Sequence, residues 1–115
     1  MTTAVIDLAT FAELQESAGA DFVGELVDTF LEETPSLLVE LRSARAAADA
    51  DRYRRAAHSI KSNSQTFGAQ ALGALARDLE LNGLHADAAQ DLRLIDALQA
   101  AYAQAATALK GLRDG

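Results

Sequence analysis

Apolar residues recur along most of this chain at steps of three and four, the period of one face of an α-helix. Asp7 precedes Leu8, Phe11 and Leu14, which reads as a capping aspartate and a short helix that ends at Gly19. A second helix begins near Asp21 on the stripe Phe22, Val23, Leu26, Val27, Phe30 and Leu31. Pro35 interrupts it, and Leu37, Leu38, Leu41 and Ala44 resume the pattern. Thr34-Pro35 fits two arrangements: an N-cap with proline opening a new helix, or a kink in one long helix. Ala48-Asp49-Ala50-Asp51 reads as a turn with a capping aspartate, and a third helix runs from there to Thr66. Gly68 is a natural left-handed residue for ending it. Leu72, Leu75, Ala76 and Leu79 mark the next helix, which stops near Asn82-Gly83. The chain restarts near Asp87. Its last stripe is Ala88, Leu92, Ile95, Leu98, Tyr102, Ala105, Leu109 and Leu112, a near-heptad spacing suited to lengthwise packing. Four substantial helices and a short N-terminal one, joined by short turns, predict an all-α fold. It is an antiparallel up-down four-helix bundle, a single domain over residues 1–115. Phe22, Leu26, Phe30, Phe67 and Tyr102 are expected in its core.

The third helix differs from the others on its polar face. At about 100° per residue, Arg54, Arg55, Lys61, Ser62 and Gln65 all fall within about 60° of His58. Tyr53, Ala56, Ile60, Asn63 and Phe67 lie toward the opposite pole, and Asn63 is expected to hydrogen-bond between helices there. His58 thus occupies the centre of the polar face, away from the buried stripe. Three cations surround it and this face carries no carboxylate, a local inversion of sign in a chain of net charge −7.

Composition narrows the chemistry. There is no cysteine, which removes disulfides, thiolate metal sites and cysteine nucleophiles. No apolar run approaches the roughly 20 residues of a membrane span. The stretch from Met1 to Asp7 lacks the basic and apolar segments of a secretory leader, so a cytoplasmic location is expected. The excess of 17 acidic over 10 basic residues argues against nucleic acid and anionic membranes as partners. Nucleotide-binding glycine loops and a nucleophile elbow are absent. His58 and His85 are far apart, and bundle metal sites need Glu-x-x-His motifs that this sequence does not contain. His85, in the loop after Gly83, reads as structural or incidental. A neutral imidazole is nevertheless a competent nucleophile toward phosphorus, and cations nearby would offset the charge of a bound phosphoryl group. Lys61, one turn from His58, can reach the phosphoryl oxygens, and the small Ser62 leaves the ring open to a partner. No residue near His58 could hold Mg²⁺ and no general base is evident. Such chemistry would therefore take its metal ion from a partner protein.

The block Ala57-His58-Ser59-Ile60-Lys61-Ser62-Asn63-Ser64, followed by Gly68-Ala69 and by Leu72, Leu75, Leu79 and Glu80, resembles the histidine-containing phosphotransfer (HPt) domain family. Asp21-Phe22 through Phe30-Leu31-Glu32-Glu33 and Pro35 is similar to that family's second helix. The resemblance covers roughly residues 5 to 110 and favours one kinked second helix. It implies a phosphoryl carrier without kinase activity of its own, shuttling between receiver-domain aspartates of response regulators or hybrid histidine kinases. By position, His58 would be the phosphoryl acceptor and Lys61 its charge partner, with Arg54, Arg55, Ser62 and Gln65 as docking positions. No cofactor is implied for the chain itself; Mg²⁺ would belong to the receiver. A monomer is implied as well. Ser62 stands where many members have glycine, which narrows access to the ring. The competing expectation is a helical interaction module that binds a receiver without being phosphorylated.

Overall fold

The computed structural model describes residues 5–114. Residues 1–4, part of the stretch read as lacking a leader, and residue 115 lie outside the described residues. The described chain forms five helices: α1 (Leu8–Ala18), α2 (Ala20–Ala46), α3 (Ala50–Thr66), α4 (Gln70–Asn82) and α5 (Ala88–Asp114). No strand occurs among the described residues. α2 and α5 are each 27 residues long. At 1.5 Å per residue that is about 40 Å, close to the 44 Å long axis of the molecule. α2 packs on α3 and α5, and α4 packs on the same two, while α1 lies against α2. Short connections between sequential helices make neighbours antiparallel, so α2–α5 form the up-down bundle. No helix of the described residues is long and apolar enough to cross a membrane.

The two connections that flank α3 use the same backbone device. After α2, the Ala48 and Asp49 amides donate to the Arg45 and Ala44 carbonyls at 3.1 and 2.9 Å. After α3, the Gly68 and Ala69 amides donate to Gln65 and Ser64 at 3.2 and 2.9 Å. Both are Schellman turns, whose penultimate residue must adopt positive φ. Gly68 does so at 76° and Ala48 at 53°. They differ in surroundings. Ala48 is exposed, whereas a Cβ on Gly68 would lie 3.0 Å from both the Asp7 carbonyl oxygen and Thr10 Cβ. α1 is therefore pressed onto the α3–α4 turn, and the Asp7 amide donates to the Gly68 carbonyl at 2.8 Å.

Pro35 lies inside α2, which is continuous through it. The buried positions Val23, Val27, Phe30, Thr34, Leu38, Leu41 and Ala44 keep a helical period across the proline. Proline has no N–H for the carbonyl four residues back. That carbonyl belongs to Leu31, and the Tyr102 hydroxyl of α5 donates to it at 3.3 Å. The Tyr102 ring also packs 5.7 Å from Phe30, whose other side meets Phe67 edge-on at 5.3 Å.

Two expectations about the core need correction. Phe22 is 51 % exposed, because Val23, one residue on, takes the inward position at the start of α2. At the start of α5, Ala88 and Leu92 face outward and Asp91 is fully buried in their place. Its carboxylate is met by the His85 amide at 2.9 Å, His85 Nδ1 at 2.6 Å and Arg45 Nη1 at 3.2 Å. His85 is thus structural, tying the α4–α5 loop to both long helices. Burial, with the Asp91 charge adding to it, pushes the neighbouring Tyr53 hydroxyl up to about 12.

Gly68→Ala is expected to destabilise by more than the roughly 1–2 kcal/mol of a left-handed alanine, because α1 must also move. Ala48→Gly should stabilise, by roughly 0.5 kcal/mol. Urea unfolding of the two variants checks this opposition of sign. Tyr102→Phe should cost about 0.5–1.5 kcal/mol in the same assay. In a Pro35→Ala background, where an N–H again serves Leu31, that cost should shrink.

Candidate functional site

α3 is opened by Asp49, whose carboxylate accepts from the Arg52 amide at 3.1 Å. It buries Tyr53, Ala56, Ala57, Ile60 and Ser64. Ser64 tolerates burial because its hydroxyl donates to the Ile60 carbonyl at 2.6 Å. The opposite face holds His58, whose side chain is 56 % exposed. α4 returns alongside α3 and brings up Glu80, only 17 % exposed. One Glu80 oxygen lies 2.7 Å from His58 Nδ1 and the other 2.6 Å from Lys61 Nζ. Hydrogen bonding from Lys61 first, then from His58, holds the Glu80 carboxyl below its usual 4.5 against the opposing effect of burial.

This geometry assigns the imidazole. A carboxylate only accepts, so Nδ1 carries the proton, and in the neutral ring Nε2 is left with its lone pair. The nitrogen left free is the one not engaged by Glu80. Beside His58, between α2 and α3, runs an open groove of about 590 Å³. Leu37 supplies apolar lining, Ser59, Ser62 and Asn63 flank His58, and Glu32, Glu33 and Glu40 line the α2 side.

The remaining predicted positions fall differently. Ser62 is exposed and lines the groove beside His58, as its place on the helix requires. Arg54 and Arg55 do not converge on the ring. Both pair with Asp51, at 2.8 and 3.1 Å, one turn toward the N-terminus of α3. The cationic halo expected around His58 thus reduces to Lys61, itself paired, and the face does carry a carboxylate, since Asp51, two turns before His58, lies about 20° from it around the helix. Gln65 leans toward α4, where its Cγ would meet a Cβ on Gly73 at 3.7 Å, and it does not line the groove. Asn63 is half-buried in the groove wall and makes no hydrogen bond to another helix among the described residues. Glu80 is the residue that sequence reasoning passed over as a functional group. It stood at the end of the matched leucine pattern, and only the packing of α4 on α3 reveals its target. No cluster of three or more metal-ligating side chains occurs among the described residues.

An all-helical bundle with one solvent-facing histidine tethered at Nδ1 by a carboxylate defines a class of histidine phosphotransfer domains. The Hpt domain family model matches residues 25–108, and the chain belongs to that family. It is similar over nearly its whole length to the crystal structure of histidine-containing phosphotransfer protein B (HptB) from Pseudomonas aeruginosa PAO1. The TM-score is 0.85 at 28 % identity, covering 98 % of this chain and 97 % of that one. A comparison with curated protein sequences gives no significant match. The protein's function is histidine phosphotransfer in phosphorelays, as a phosphoryl carrier working with receiver domains.

A carboxyl held low in the folded state stabilises the fold above its unfolded value and loses that contribution as pH falls through the folded one. The stability gap between wild type and Glu80→Gln should therefore be present at pH 7 and close below about pH 4. Thermal melts across that range test it.

Proposed function

We propose that His58 is the phosphoryl-accepting residue of this carrier, with Lys61 and Glu80 as its supporting groups. The observation that carries this reading is the 2.7 Å contact between His58 Nδ1 and Glu80. With the proton held at Nδ1, the Nε2 lone pair attacks the phosphorus of a receiver aspartyl phosphate. The N–P bond forms as the P–O bond to the aspartate breaks, and that carboxylate leaves with the electron pair. No proton need leave the ring. The ring of the phosphorylated imidazole carries a positive charge, and Glu80 offsets it through the Nδ1 proton it already accepts. Reversal uses the same groups, which lets the phosphoryl group pass on to a second aspartate. Lys61 is near enough to exchange part of its contact with Glu80 for a phosphoryl oxygen. Mg²⁺ and the remaining catalytic groups belong to the receiver in this reading, and the chain has no kinase activity of its own. The carrier is read as a cytoplasmic monomer acting as one unit over residues 1–115.

The test is transfer of labelled phosphoryl groups from a phosphorylated receiver domain. Wild type should gain acid-labile, base-stable label and His58→Gln none; label retained on the folded variant would sink the assignment. Glu80→Ala should slow transfer about ten- to a hundredfold. That follows from losing the acceptor that fixes the ring tautomer and offsets the charge of the phosphorylated ring.

A further inference from the structure

Most charges around the groove are already spent within the molecule. Lys61 and His58 share Glu80, Glu40 pairs with Arg52, and Arg54 and Arg55 share Asp51. Glu32 and Glu33, both exposed, line the groove with His58 and make no ion pair among the described residues. Because α2 and α3 are antiparallel, this acidic pair lies toward the Ser62–Asn63 end of the groove. At the other end, the groove continues past Leu37, Glu40 and Ser59 into a second hollow that Arg52 and Arg55 line. There both lining arginines have carboxylate partners, Arg52 in Glu40 and Arg55 in Asp51. The two ends of the groove therefore differ in charge, with His58 between an uncompensated negative end and one whose charges are paired.

We infer that Glu32 and Glu33 are specificity determinants: the receiver domain that docks over His58 presents basic side chains to this acidic end. The inference rests on His58 being the acceptor and adds the sign and orientation of its partner. Charges at an interface rim steer encounter and reject like-charged partners more than they tighten the final complex. Two adjacent carboxylates at one end, with the reacting nitrogen in the middle, also distinguish the correct docking direction from its reverse. The sign is opposite to that expected from α3 alone, whose arginines would favour an acidic partner if they were free.

The experiment compares wild type with the Glu32→Lys/Glu33→Lys double variant. Two phosphorylated receiver domains are used as donors, one with basic and one with acidic residues around its aspartyl phosphate. Phosphoramidate labelling, which needs no protein partner, reports the His58 site itself. The expected result is transfer from the basic-faced receiver slowed about tenfold at low salt. That loss should shrink at 0.5 M salt, with transfer from the acidic-faced receiver unchanged or faster and phosphoramidate labelling unaltered. Equal rates for wild type and variant from the basic-faced receiver, with His58→Gln still inactive, overturn the docking role and leave the acceptor assignment standing. Transfer to wild type from neither receiver removes the acceptor reading and this inference with it. If the lysines disturb the fold, Glu32→Gln/Glu33→Gln removes only the charge. The same comparison then applies, with a smaller slowing expected and no slowing overturning the proposal.

Discussion

The Glu80 carboxylate, reaching from α4 to bridge His58 and Lys61 on α3, is the contact around which the functional face is organised. It fixes which imidazole nitrogen is free, and it places the ammonium group beside the ring. The bridge requires α4 to keep one register against α3, since a slip of a single turn, about 5.4 Å, would carry Glu80 past both partners. Two features hold that register. The Schellman turn at Gly68 sets where α4 begins. The buried Leu72, Ala76 and Leu79 of α4 then share one core with Ala57 and Ile60 of α3.

The electrostatics follow a consistent division. Apart from Glu32 and Glu33, the charges near His58 are paired on the surface, where each pair contributes little to stability but determines what a partner encounters. At the α4–α5 loop the pairing is internal. Asp91 is fully buried and draws its partners from α2 and from the loop, so removing any one of them would strand a charge in the core. The two histidines thus have similar local geometry, each with Nδ1 against a carboxylate, and different tasks. His58 presents its ring to solvent above an open groove, while His85 closes a loop.

What could be read from the sequence was whatever depends on one helix at a time. The placement of His58 opposite Tyr53, Ala56 and Ile60 follows from periodicity alone, and local side-chain chemistry gives the cap at Asp7, a capping aspartate at either Asp49 or Asp51, and the turn at Gly68. The two alternatives at Pro35 could not be separated locally, because the partner for the orphaned Leu31 carbonyl comes from Tyr102, 71 residues away. The same limit explains Glu80, whose role exists only across the α3–α4 interface. Arg54 and Arg55 are a different case: Asp51 lies on their own helix at i−3 and i−4, so their pairing with it was legible locally and was passed over. At the start of α5 the apolar period pointed to Ala88 and Leu92, and a buried polar cluster outcompeted it.

α1 lies ahead of the segment that the Hpt family model matches, which begins at residue 25. Ile6 and Phe11 are nonetheless buried, and Asp7 touches both the backbone of Gly68 and the side chain of Gln70. The segment matched by the family model and the unit of folding therefore have different edges. The N-terminal helix works as a splint across the bend between α3 and α4. A boundary drawn where that match starts would keep every residue around His58 and discard part of what holds them in alignment.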